Sequence, residues 1–184
     1  ALKLDRSHYE SLKEKVNLHY LNRNYDLMAT DAARMTGIQP NNPLGFSQLA
    51  IALRELKKYD EAVENHNIAL QLFPQDPYLY DQRRETYMMM DDYENALSDA
   101  RKCIELRPNV NLYRFNVRCV LVALGRYNEA HQIEYSPSGE GPSYIENFTF
   151  MYVFRQLGAH KQIFPPGENP TEPVLLSIAH NYDP

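Results

Sequence analysis

Four tyrosines, Tyr25, Tyr59, Tyr93 and Tyr127, stand at intervals of 34 residues, and Pro40, Pro74 and Pro108 keep the same interval. Only 14 of the 184 residues are tyrosine, so composition does not produce such a register. A small residue follows three of these tyrosines three places on, at Ala62, Ala96 and Ala130. A period of this length is that of one helix–turn–helix unit. One such unit cannot bury its own apolar face, and stacking against further copies makes a continuous core. The period therefore predicts an all-α solenoid.

Counted back from each tyrosine, the units run 9–42, 43–76, 77–110 and 111–137, the last one truncated. Asn42 before Pro43 and Asp76 before Pro77 predict N-cap side chains that accept from the first turn. The proline that follows loses nothing at the first helical position, where its missing N–H would have no partner. Ser7 with Glu10 predicts a capping box for the opening helix. Phe46, Leu49, Ala50 and Leu53 recur at helical spacing along a first helix, and Ala62, Ile68, Ala69 and Leu72 mark a second. Pro74 and Pro108 end second helices, because proline cannot supply the ladder N–H.

The segments LGFSQLAIALRELKKYDEAVENHNIALQLFPQD and YLYDQRRETYMMMDDYENALSDARKCIELRPN resemble the tetratricopeptide repeat family, and the likeness extends over residues 8–135. The first unit, YESLKEKVNLHYLNRNYDLMATDAARMTGIQP, is less regular, with Met28 where the family has alanine. The resemblance implies a right-handed α-solenoid of about four helix pairs. The eighth position of each unit departs from the family, which places Gly, Ala or Ser there because two helices approach closely. Here it holds Val16, Ala50, Arg84 and Arg118. The two arginines are expected to carry their stems out to solvent or to pair with acids, loosening the last two units. The alternative is a pair of anion contacts.

SPSGEGPS, at 136–143, ends the second helix of the fourth unit early. Residues 144–158, with Ile145, Phe148, Met151 and Val153 or Phe154 at helical spacing, then read as a capping helix over the end of the array. Residues 160–184 contain five of the twelve prolines and read as an extended tail. An open apolar pole at Met88, Phe115 and Val122 would invite that tail, around 164–166 or 174–178, to pack back on the array. Otherwise the tail is a linker.

At 184 residues the chain is long enough for one domain with a sizeable interior. It has no apolar run long enough to span a membrane. Its opening residues lack the apolar stretch of a signal peptide, and its abrupt start reads as a piece cut from a longer protein. A net charge of −5 argues against a nucleic-acid face. Cys103 and Cys119 are too few for a disulfide framework and read as buried small side chains, so a reducing, cytoplasmic setting is expected. Catalytic chemistry is not visible. The six histidines show no metal-ligand spacing, and His66 reads as a packed histidine. Neither cysteine has a nucleophile's surroundings, and Asp91, Asp92 and Glu140 read as solvated charges. The glycosylation triplet at Asn147 falls inside the expected capping helix. No enzyme activity, cofactor or metal is expected.

The tetratricopeptide resemblance implies that the first helix of each unit lines a concave groove, with positions two, five, six, nine and twelve facing it. In the first unit these are Glu10, Lys13, Glu14, Asn17 and Tyr20, and in the second Leu44, Ser47, Gln48, Ile51 and Arg54. The third offers Tyr78, Asp81, Gln82, Glu85 and Met88, and the fourth Leu112, Phe115, Asn116, Cys119 and Val122. From these, the candidate partner-binding residues are Lys13, Asn17, Gln48, Ile51, Arg54, Tyr78, Gln82, Glu85, Met88, Phe115, Asn116 and Val122. SLKEKVN also resembles the opening helix of carboxylate-clamp co-chaperones, which grip a terminal Glu-Glu-Val-Asp; Lys13 and Asn17 fall on two clamp positions. Gln48 replaces the next asparagine, and Tyr78 and Gln82 stand where Lys and Arg are required, so the charge-assisted bonds to the carboxylates are missing.

The leading expectation is a non-enzymatic module that binds a peptide segment or protein partner in the groove. The alternative is the substrate-recognition or regulatory domain of a larger enzyme whose catalytic part lies outside this chain. RNA binding through helical repeats is disfavoured by the negative charge and the absence of a basic stripe. Self-association through an exposed apolar end stays open.

Overall fold

Each tyrosine of the 34-residue series opens a helix. A computed structural model of the chain describes residues 2–134. Within them α2 (Tyr25–Ile38), α4 (Tyr59–Leu72), α6 (Tyr93–Leu106) and α8 (Tyr127–Gln132) alternate with α1 (Leu2–Leu21), α3 (Pro43–Glu55), α5 (Pro77–Met89) and α7 (Asn111–Ala123). No strand occurs among the described residues. Consecutive helices pack on one another, and α3 also meets α5. The result is a solenoid of helix pairs. SPSGEGPS, the expected capping helix at 144–158 and the tail at 160–184 lie outside the described residues.

The caps explain where the helices start and stop. Asn42 Oδ1 accepts from the Leu44 N–H at 3.0 Å, and Asp76 Oδ1 from the Tyr78 N–H at 3.0 Å. Each satisfies a first-turn donor that has no partner inside the helix. Pro40, Pro74 and Pro108 lie just past α2, α4 and α6. The capping box at Ser7 and Glu10 does not form. α1 begins at Leu2, so the Ser7 region already lies inside the helix and has no free first-turn donors to satisfy.

The turn inside each pair repeats as strictly as the tyrosines. Arg23, Lys57, Asp91 and Gly125 adopt φ of 58°, 62°, 57° and 71°. At Lys57, its own N–H donates to Arg54 O at 2.9 Å, and the Lys58 N–H reaches back to Leu53 O at 2.9 Å. This is the Schellman arrangement, with the left-handed residue just past the helix end. The same two bonds recur at Arg23, Asp91 and Gly125. Glycine fills the left-handed place in one turn of the four.

Ala62, Ala96 and Ala130 are fully buried, as is Met28 in the corresponding place. Leu12, Val16, Met28, Met35 and Ile51 belong to a core under α1–α3, while Leu97, Val117, Val120 and Leu121 belong to one under α6–α8. The apolar cluster between them, Ala69, Leu70 and Leu79, is smaller. Polar groups supplement it: Arg83 on α5 bonds Asp99 on α6 and Asn67 on α4. Gly45 lets α3 close on α2, since a Cβ there would stand 3.0 Å from Thr36 N and 3.3 Å from Met35 C. Arg84 takes the second course open to it and pairs with acids, Nε to Asp81 Oδ1 at 2.8 Å and Nη2 to Glu85 Oε1 at 3.4 Å.

Candidate binding groove

Stacking places one face of α1, α3 and α5 side by side, and a cleft of ≈ 330 Å³ opens across them. Asn17 and Tyr20 contribute from α1, Gln48, Ile51 and Arg54 from α3, and Tyr78, Gln82 and Glu85 from α5. Within each helix these residues are three or four apart, which puts them on one face. Ile51 is buried at the floor, while Tyr20 and Tyr78 are 47% and 45% exposed. The cleft thus combines an apolar floor, aromatic walls and three carboxamides.

Arg54 is the anomaly, a cation only 5% exposed. Burial is tolerated because its partners are in place. Nη1 lies 2.8 Å from Glu85 Oε2 and donates to Gln82 Oε1 at 3.2 Å, while Nη2 reaches Glu55 Oε1 at 3.3 Å. Glu85 also meets Arg84, and Asp81 accepts from both Arg84 Nε and Asn116 Nδ2 at 2.8 Å. A polar chain of alternating sign therefore runs Glu55–Arg54–Glu85–Arg84–Asp81–Asn116 along α3, α5 and α7. Burial raises the Tyr78 phenol, the Glu85 carboxylate adds to the shift, and Arg54 opposes it. Tyr78 stays a neutral hydroxyl donor.

Of the twelve residues expected from the sequence, seven meet in this cleft: Asn17, Gln48, Ile51, Arg54, Tyr78, Gln82 and Glu85. Lys13 does not line it; Lys13 is exposed and sits 3.6 Å from Glu10. At the other end, the three residues expected to form an open apolar pole are not exposed. Val122 is buried in the α6–α8 core, with Met88 and Phe115 half-buried against it. Asn116 is buried and committed to Asp81. Sequence reasoning missed Glu55, since its role follows from where the buried Arg54 points. It also missed a depression of ≈ 300 Å³ on α5 and α6, where Arg83 lies among Tyr80, Asp99, Arg101 and Lys102.

Cys103 and His66, two groups that could carry chemistry, are both buried. Cys103 is buried, donates to Pro77 O at 3.2 Å, and burial pushes its thiol up to about 12. His66 is fully buried with neither ring nitrogen hydrogen-bonded. Burial, reinforced by Arg54 and Arg83, lowers it to about 3, so its imidazole is neutral. No cluster of three or more His, Cys, Asp or Glu side chains suited to a metal occurs among the described residues. No described helix is long and apolar enough to cross a membrane.

Comparison with known proteins agrees with this architecture. Residues 85–110 match the family model described as Tetratricopeptide repeat. The chain is 36% identical over 105 residues to a Protein STIP1 homolog of Dictyostelium discoideum, covering 57% of this chain and 17% of that protein. It is 33% identical over 95 residues to Tetratricopeptide repeat protein 13 of Homo sapiens, covering 52% of this chain and 11% of that one. The chain therefore spans less than a fifth of the length of these curated relatives. Among solved structures it is similar to the first TPR of Spaghetti (RPAP3) bound to the HSP90 peptide SRMEEVD, at 26% identity and a TM-score of 0.60, over 65% of this chain and 94% of that one. MamA shares the fold at 13% identity and a TM-score of 0.64, over 84% of this chain and 85% of that one.

Proposed function

We propose that this chain, a tetratricopeptide repeat array, is a protein-interaction module that holds an extended segment of a partner in the cleft across α1, α3 and α5. The observation that carries the reading is the make-up of that cleft. Three carboxamides, each with a donor and an acceptor, stand beside two exposed tyrosine rings over an apolar floor. An extended peptide presents unpaired N–H and C=O groups along its length and needs such partners. Tyrosine walls give large contact area at low entropic cost. The solved relative that holds a peptide on a similar array supports the same use of the groove.

A longer protein built around this module would present the bound partner to its neighbouring domains, including catalytic ones. The module itself needs no cofactor for that role.

The test is selection of a random heptapeptide library on the full chain, with a Tyr78→Ala chain as the counter-selection. Enriched peptides are expected to bind the wild type and to lose at least tenfold in affinity on Tyr78→Ala or Gln48→Ala. Changes at Arg101, on the depression over α5 and α6, are expected to leave binding unaltered. Peptides that bind both chains equally would place recognition elsewhere and end the reading.

A further inference from the structure

We propose that Glu85 is a built-in stand-in for a ligand carboxylate, which occupies the cation of the cleft and makes it reject acidic peptide termini in favour of uncharged extended segments. The inference rests on the reading of the cleft as a peptide site and adds a selectivity to it.

Arg54 is the cation lining the cleft, and its guanidinium meets Glu85 at 2.8 Å, Glu55 at 3.3 Å and Gln82 at 3.2 Å. Its side chain is 5% exposed, whereas that of Glu85 is 37% exposed. A solute entering the cleft therefore meets the carboxylate first and the guanidinium only beneath it. An acidic ligand would have to displace Glu85 from its short contact with Arg54, and would then lie beside two like charges, Glu85 and Glu55. Like-charge juxtaposition of this kind excludes wrong partners more effectively than it strengthens right ones. The two places where a clamp would need cations hold Tyr78 and Gln82, and Arg84, which also meets Glu85, is held by Asp81 and does not line the cleft.

What remains on offer is neutral. Asn17 and Gln48 carry both a donor and an acceptor, which match the alternating groups of an extended backbone. Tyr20 and Tyr78 present ring faces to an apolar side chain. The favoured occupant is an internal stretch of extended chain without acidic residues, not a free acidic C-terminus.

The experiment is fluorescence anisotropy on the full chain with two probes labelled at a blocked N-terminus, SSMEEVD as the free acid and its uncharged counterpart SSMQQVN with an amidated end. Wild type is expected to favour the uncharged peptide. Glu85→Gln and Glu85→Ala are each expected to tighten binding of the acidic peptide at least tenfold. The gain should vanish in Arg54→Gln/Glu85→Gln. Thermal melts of each variant establish that it is folded. Tight Arg54-dependent binding of the acidic peptide by the wild type would overturn the proposal. So would folded Glu85 variants whose affinity for it does not change while the uncharged peptide still binds. Binding of neither peptide to any variant would overturn the cleft reading itself, and the selectivity with it.

Discussion

Arg83 and Asp99 are joined by two parallel hydrogen bonds, Nε to Oδ2 at 2.8 Å and Nη2 to Oδ1 at 2.6 Å, which tie α5 to α6. The remaining arm of the guanidinium reaches Asn67 Oδ1 on α4 at 2.5 Å. The cation also lies 5.8 Å and 5.7 Å from the ring centres of Tyr80 and Tyr87. Asp99 is 3% exposed, and burial raises its carboxyl against the pull of Arg83. This staple stands where the apolar core is thinnest.

Removing one member of a buried pair leaves the other charge uncompensated, whereas removing both is far less harmful. Arg83→Met is expected to cost about 3 kcal/mol. Arg83→Met/Asp99→Leu should recover much of that loss. Urea denaturation of both variants measures it, and equal losses in the two would mean that the pair does not act as a unit.

The left-handed turns give a prediction of opposite sign. Lys57 holds φ 62° with a side chain that the backbone disfavours there. Glycine adopts that region freely, as Gly125 does in the fourth turn. Lys57→Gly is expected to stabilise the chain by up to about 1 kcal/mol, and Gly125→Ala to destabilise it by a similar amount. A melting temperature lowered by Lys57→Gly would mean that the loss of a side chain outweighs the relief of strain.

Much of this architecture was legible because it is written in local chemistry. Proline excludes the helical ladder, and Asn42 and Asp76 cap the helices that follow them, so boundaries could be read residue by residue. The register then carried seven side chains into one cleft. What could not be read depends on geometry between helices. Glu85 meets Arg54 because α3 and α5 lie side by side, and no local pattern announces a contact between separate helices. The repeating turn was hidden for another reason: Arg23 and Lys57 show no preference for the conformation they adopt, and Asp91 alone belongs to a residue type enriched there. The apolar end of the array was not legible either, because Val122 looks the same in sequence whether it faces a groove or a core.

Ala96 tests the packing register. It is fully buried in the cluster that holds Leu97, Val117 and Val120. The three heavy atoms that leucine would add have no room in an interior packed to crystal density. Ala96→Leu is expected to cost about 1–3 kcal/mol. A variant that denatures at the wild-type urea midpoint would show that α6 does not press on its neighbours there.

His66 links the core to pH. Its folded form is held neutral, with the pKa lowered from 6.5 to about 3 by burial first and by Arg54 and Arg83 next. In the unfolded chain the same imidazole takes a proton near pH 6.5. Above that pH neither state is protonated, and the histidine costs nothing electrostatically. As the pH falls from 6.5 towards 3, the unfolded state binds a proton that the native state refuses, and stability is lost. The loss amounts to about 2 kcal/mol by pH 5 and about 4 kcal/mol by pH 3. His66→Phe keeps an aromatic ring in the site, removes the titration, and also removes ring nitrogens that have no hydrogen-bond partner. It is therefore expected to be the more stable chain at neutral pH, by about 1–3 kcal/mol. Its advantage should widen as the pH drops through that window. The difference in unfolding free energy between the two chains isolates His66, because the other acids titrate alike in both. A difference that stays constant from pH 7.5 to pH 5 would show that the folded imidazole takes up its proton at the ordinary pH, and the argument for its neutrality would fall.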